Sequence, residues 1–174
     1  MTNKLLTKEE INNLMNWSNS FERLPKLLQA KKCMTEENFF ITLGEQWSGF
    51  DNVSIYFKEL SKIFRRVDRV LLDRMMTSDE LEELKKLPEK ICIYRGCFEI
   101  NKLGFSWTTD KKNAKSFTKL LRYKRDGETP LIITGLIPKT NIVYKQDRGE
   151  SEIIVTNLNE LVILNEKINA PPKS

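Results

Sequence analysis

Histidine is missing from all 174 residues of this chain. Its absence excludes Ser-His-Asp and Cys-His catalysis, histidine general bases and histidine metal ligands. Cysteine is scarce. Cys33, Cys92 and Cys97 are odd in number and form no Cys-x-x-Cys pair, so reduced and mostly buried thiols are expected. No apolar run approaches the roughly 18 residues of a membrane span. The opening Met1-Thr2-Asn3-Lys4-Leu5-Leu6 leads straight into charged residues and lacks the form of a secretory signal. A cytoplasmic location without a membrane partner is the expectation. Internal repeats and low-complexity segments are also absent. Any enzyme chemistry must come from carboxylates, hydroxyls, arginine, lysine or a cofactor.

The composition that remains, 40% apolar and 30% charged, is that of a soluble globule. The length fits one compact domain, or a domain with a small helical subdomain. Charge is uneven. Residues 1–88 carry 14 Lys/Arg against 14 Asp/Glu, and residues 89–174 carry 15 against 10, which accounts for the whole net +5. The basic half suits a phosphate-rich ligand or an acidic partner.

The first half reads as helical. Thr7 is placed to cap a short helix reaching Trp17, and Phe21, Leu24, Leu27 and Leu28 recur at helical spacing. Thr35 opens a helix with Phe39, Phe40, Leu43 and Trp47 on one side, broken at Gly49. Asp51 is a candidate N-cap for the longest helix, about residues 52–76, with a stripe from Ile55 and Tyr56 through Leu60, Phe64 and Val67 to Val70 and Leu71. Thr77-Ser78-Asp79-Glu80 is a capping-box pattern for a last helix ending at Pro88.

Beyond Pro88 the period shifts towards two. Strands are predicted at 91–95, 104–109, 130–137, 141–145, 152–156 and 161–165, with one helix capped by Asp110 running through Ala114 and Phe117. Helices followed by a mainly β half make an α+β pattern. The expected boundaries are a helical segment 1–88, a β-rich core 89–167 and a flexible tail 168–174, in one compact domain overall.

Three motifs carry chemistry. Arg95 stands near a strand end with Gly96 after it; a guanidinium makes paired bonds to phosphate oxygens, and glycine admits close approach to the backbone. In Phe105-Ser106-Trp107-Thr108-Thr109, alternation puts Ser106 and Thr108 on one face and Trp107 on the other. Two hydroxyls on one face could orient a carboxylate on a neighbouring strand. In Glu150-Ser151-Glu152, both carboxylates fall on one face at the mouth of a strand. A carboxylate there could stabilise an oxocarbenium-like sugar, as in glycoside hydrolysis. A fourth feature is the basic run Lys111, Lys112, Lys115, Lys119 and Arg122, followed by Lys124 and Arg125. Positions 111, 115, 119 and 122 share a face if the helix continues, which makes either a solvated face or an electrostatic platform for nucleic acid or an acidic protein.

Taken in order, Tyr94-Arg95-Gly96, the hydroxyl cluster and Glu150-Ser151-Glu152 resemble the Arg–Ser–Glu class of mono-ADP-ribosyltransferases. The resemblance covers about residues 91–155. Trp107 departs from it, standing in the middle of what is a Ser-Thr-Ser motif in the family. The resemblance implies an antiparallel or mixed β-sandwich core braced by N-terminal helices, with NAD as substrate and no metal. It implies that Arg95 holds the NAD diphosphate and ribose, and that Tyr94, Gly96, Ser106, Thr108 and Phe117 complete the NAD site. Glu152 would stabilise the sugar cation. Glu150 would position or deprotonate the acceptor, a glutamate here going with arginine acceptors. Tyr144, Gln146 and Asp147 become candidate acceptor contacts, as do Lys115, Lys119 and Arg122. The acceptor would be a protein side chain or RNA/DNA. Enzymes of this class often act as toxins or phage effectors, which would bring an antitoxin or regulatory partner. The alternatives are an NAD glycohydrolase, with water as acceptor, and a catalytically inactive basic module that binds nucleic acid or a partner protein.

Overall fold

A computed structural model describes residues 4–51, 53–119, 127–147 and 150–169; the side chains of Asp147 and Glu150 lie outside that description. The chain divides into two compact units, Met1–Asp79 and Glu80–Ser174. The division falls within the first turn of the last helix of the first half and not after that helix. That helix, α6 (Ser78–Lys86), is tied to the sheet through Glu80, as set out below.

The first unit is helical. Helix α1 (Lys8–Asn16) opens on a reciprocal capping box, in which Thr7 Oγ1 accepts from Glu10 N and the Glu10 carboxylate accepts from Thr7 N at 2.7 Å. Its buried residues, Ile11 and Met15, are one turn apart. Helix α2 (Arg23–Ala30) buries Leu24 and Leu27. Thr35 caps α3 (Glu36–Gln46), which buries Phe39, Phe40 and Leu43. Gly44 is obligatory here. A Cβ at that position would stand 2.0 Å from the Met75 carbonyl oxygen, so α3 runs against bare backbone.

The expected long helix is two short ones, α4 (Phe57–Phe64) and α5 (Arg69–Asp73). Asp68 causes the break: extended at φ −79° and ψ 168°, it caps α5 by accepting from Leu71 N. Leu60, Phe64 and Leu72 keep the apolar stripe buried across the break, whereas Ile55 and Val70 are exposed. Asp51 does not cap α4, which begins several residues later; its carboxylate accepts from Ser20 Oγ.

The second unit is built on six antiparallel strands: β1 (Lys90–Cys97), β2 (Ser106–Thr108), β3 (Leu131–Pro138), β4 (Ile142–Asp147), β5 (Glu150–Val155) and β6 (Val162–Ile168). They form a single sheet in the order β4-β5-β2-β1-β3-β6, where two packed sheets were expected. Alternating patterns mark strands without saying which strand pairs with which. The α+β class stands.

Ile91, Ile93 and Cys97 bury one face of β1. On the other face lies α7 (Lys111–Phe117), capped by Asp110 as its sequence suggested. Gly96 makes this contact possible, because a Cβ there would fall 1.8 Å from the Ala114 carbonyl oxygen. The end of β6 is also fixed. Asn169 N donates to Pro130 O at 2.7 Å, and its side-chain amide donates to Thr118 Oγ1 at 2.8 Å and to Lys115 O. The expected tail from 168 therefore starts too early, since Ile168 and Asn169 belong to the fold.

Candidate active site

The three motifs lie on adjacent strands. β1 pairs with β2, and β2 with β5, at the middle of the sheet. The register pairs Thr108 with Glu152 on one side and with Tyr94 on the other. Directly opposed residues in an antiparallel sheet share a face. Continuing outwards, Glu152 pairs with Lys145 on β4, and Tyr94 with Thr134 on β3, which pairs with Asn165 on β6. One polar row thus crosses all six strands: Lys145, Glu152, Thr108, Tyr94, Thr134 and Asn165. Glu150 occupies the strand position two before Glu152, paired with Asp147.

Thr108 is buried, and its hydroxyl accepts from Asp110 N at 3.0 Å. The same hydroxyl therefore helps to turn the chain from β2 into α7. Ser106 shares the face of Thr108 by alternation and pairs with Ile154. Trp107 takes the other face as expected. It is buried, pairs with Ile153, and donates from Nε1 to Gly104 O at 2.8 Å.

Arg95 differs from the other two motif residues. One step along from Tyr94, it falls on the face of Ile93 and Cys97, opposite to Glu152. Its guanidinium donates to Ser106 O and, at 3.0 Å, to Asn101 O. Gly104 makes room for it, since a Cβ there would meet Arg95 Nη2 at 2.4 Å. Arg95 therefore holds the β1–β2 connection from beneath, gripping the backbone of the serine the sequence placed beside it. Burial pushes the adjacent Cys97 thiol up to about 11, with the Arg95 charge opposing. Cys97 is the buried thiol; Cys33 is half-buried and Cys92 exposed, against the expectation that most would be buried.

On the polar-row face, Cys92 Sγ donates to Tyr94 Oη at 3.5 Å, and that thiol holds the phenol above its ordinary range. Lys111 Nζ stands 5.7 Å from the Tyr94 ring centre, within cation–π range. Phe117 lies behind Gly96, its Cβ at 3.4 Å from the place a Gly96 Cβ would take. Lys111, Lys112, Lys115 and Lys119 are exposed. The helix ends at Phe117, however, so Lys119 stands in the turn that follows and not on a continued helical face. Arg122, Lys124 and Arg125 lie outside the described residues.

The acceptor-contact candidates on β4 separate. Tyr144 is buried and shares a 3.0 Å hydrogen bond with Ser151 Oγ, on the face away from Glu152. Gln146 uses its backbone N–H on the Glu80 carboxylate at 2.8 Å. The side chain of Asp147 lies outside the described residues.

Sequence reasoning missed Lys145 and Glu80. Lys145 Nζ lies 2.8 Å from Glu80 Oε2, with the two side chains 13% and 7% exposed. Glu80 read as a helix-capping residue. No local pattern links it to a partner 65 positions away.

Among the described residues no group of His, Cys, Asp and Glu side chains could hold a metal ion, and no helix is long and apolar enough to cross a membrane. Comparison with protein-family models, with curated proteins and with solved structures found no match to this chain.

Proposed function

We propose that this protein is a mono-ADP-ribosyltransferase, which transfers ADP-ribose from NAD to a macromolecular acceptor and releases nicotinamide. The observation that carries the reading is the pairing of Glu152 with Thr108 on adjacent central strands, with Tyr94 next in the row. Residues 44 positions apart, drawn from two separately recognised motifs, meet across one strand pair.

In the reaction the bond from ribose C1′ to the nicotinamide nitrogen breaks, and its electron pair leaves with nicotinamide. Positive charge develops on the ribose, and the Glu152 carboxylate stabilises it. A nucleophile of the acceptor then bonds to C1′ and gives up a proton, for which Glu150 is the nearest carboxylate in sequence. Thr108 and the turn it stabilises fix the strand beside Glu152. Arg95 serves by holding the backbone of Ser106, a positioning role that differs from the diphosphate contact the family resemblance implies. Lys111 over the Tyr94 ring, with the exposed Lys112, Lys115 and Lys119 after it in sequence, favours an acceptor that carries negative charge, RNA, DNA or an acidic protein surface.

The test is incubation of the full chain with NAD labelled in its adenylate, together with a cell lysate split into protein and RNA, while free nicotinamide is followed. The expected result is label in one fraction that is lost with Glu152→Ala. Nicotinamide release without label would make the protein a glycohydrolase. Neither product at high enzyme concentration would end the catalytic reading.

A further inference from the structure

We infer that Lys111 is the residue that holds the diphosphate of NAD, reaching from the start of α7 over the ring of Tyr94. The inference rests on NAD being the substrate in the proposed function, and it names the cation which that reading leaves unassigned.

NAD brings a doubly charged diphosphate to any site that takes it, and a cationic side chain makes the strongest hydrogen bonds to phosphate oxygens. One face of the sheet carries Thr108 opposite Glu152. Arg95 is on the other. Its guanidinium donates to two backbone carbonyls, Ser106 O and Asn101 O, with Gly104 close against it. The cation that meets the diphosphate therefore has to come from the face of Thr108.

Helix α7 lies on that face. Gly96 is two positions from Tyr94, on the same side of β1, and it packs against the Ala114 carbonyl. The start of α7 is thereby seated at Tyr94, and Lys111 Nζ stands 5.7 Å from the ring centre. Lys111 is exposed and forms no ion pair among the described residues. Asp110 beside it in sequence is turned to the helix end, where it accepts from Lys112 N. A cation–π contact at an exposed site is weak and occupies no hydrogen-bond acceptor, so the ammonium keeps its donors for phosphate oxygens. The ring that steadies it is itself tied down, because Cys92 Sγ donates to Tyr94 Oη at 3.5 Å.

The spacing agrees. Tyr94 and Glu152 pair with Thr108 from its two sides, so they stand two strand spacings apart, about 10 Å. In NAD the diphosphate is joined through C5′ to the ribose whose C1′ takes the developing charge. A ribose 5′-phosphate with its sugar at Glu152 and its phosphate at Lys111 fits a gap of that size. Lys112, Lys115 and Lys119 are then left for the charge of the acceptor.

The test measures binding of carba-NAD to the full chain by calorimetry. In this analogue a methylene replaces the oxygen of the nicotinamide ribose ring, so no sugar cation forms and the ligand stays whole. Lys111→Met removes the charge and keeps an unbranched stem. It is expected to weaken binding about tenfold and to flatten the dependence of binding on salt. Lys111→Arg, which keeps a phosphate donor, is expected to bind within about twofold of the parent. Lys58→Met, which removes an exposed charge from α4 in the helical unit, is expected to do the same. A merely structural role for Lys111 would lower the thermal midpoint and leave the salt dependence as it was. Unchanged affinity in Lys111→Met, an unchanged salt dependence, or no binding of carba-NAD by the parent overturns the inference. NAD turnover is read separately. Turnover together with binding insensitive to Lys111→Met would sink Lys111 and leave the transferase, whereas Lys111-dependent binding without turnover would do the reverse.

Discussion

The two edges of the sheet are built on opposite principles. The outer edge of β4 is blocked at Gln146. Glu80 accepts the Gln146 N–H that would otherwise be open to a new strand, and Lys145 is pinned beside it. All seven residues of β6 are exposed, no strand among the described residues pairs with its outer edge, and Val162, Ile163, Leu164 and Ile168 are large and apolar. Its protection is of a cheaper sort, a register shift opposite Thr134 and Gly135 that leaves Leu164 as an extra residue, with Lys167 and Glu166 further along. Bulges and charges are common devices for discouraging edge-to-edge pairing. The edge beside the polar carboxylate pair is fixed by buried charge, while the edge remote from it is only made awkward to extend. Rigidity in this sheet is concentrated where the chemistry is proposed.

The sharpest way to break this contrast is Glu80→Ala. It leaves the Lys145 ammonium and the Gln146 N–H without the carboxylate that binds both, and should cost about 3 kcal/mol, read as a lower midpoint in denaturant. A loss under about 0.5 kcal/mol, the size of an ordinary surface change, would mean that the β4 edge is no better secured than β6. The middle of the sheet gives a reference for both edges. The Cys97 thiol titrates at about 11 when folded, above the ordinary 9.0. Its contribution to stability is therefore whole below pH 9 and is lost as the pH climbs towards 11. Thermal midpoints should fall across that window, and Cys97→Ala should flatten the part of the fall that this thiol causes.

Chemical labelling separates the two faces of the central strand β1. Cys92 is exposed and Cys97 buried, so a maleimide should modify Cys92 readily in the native protein and reach Cys97 only on unfolding, as peptide mapping would reveal. Equal labelling would show that the buried face of β1 opens as easily as its exposed face. The smallest effect belongs to β6. Leu164→Lys should change stability by no more than about 0.5 kcal/mol, yet reduce light scattering on heating, since it adds charge to an exposed edge. Unchanged scattering would show that β6 takes no part in association.

The parts of the fold legible in the sequence were those set by local chemistry. Thr7, Thr35 and Asp110 cap the helices they were expected to cap, because a side-chain oxygen reaching a backbone N–H two or three residues on needs no distant partner. The strands were found from their β-branched runs. The break at Asp68 was hidden because the apolar stripe stays in phase across it. The single sheet was hidden because alternation does not name a partner strand. At the site, Thr108 and Glu152 were both picked out, and their pairing follows from strands that lie side by side. The face of Arg95 was present in the sequence, in the alternation Ile91, Ile93, Arg95, Cys97, but it takes the register to show that this face is not that of Glu152. Glu80 and Lys145 left no trace at all, since only the fold brings them together.

The indole of Trp107, clasped to Gly104 within the hydroxyl motif, has a spectroscopic consequence. The chain has three tryptophans. Trp17 is open to water, Trp47 is buried in the helical unit and Trp107 in the sheet unit. Replacing the first two with phenylalanine leaves a single emitter on β2, packed on the face opposite to Ser106, Thr108 and Glu152. Its fluorescence would then signal a ligand arriving beside Ser106 before any bond is broken.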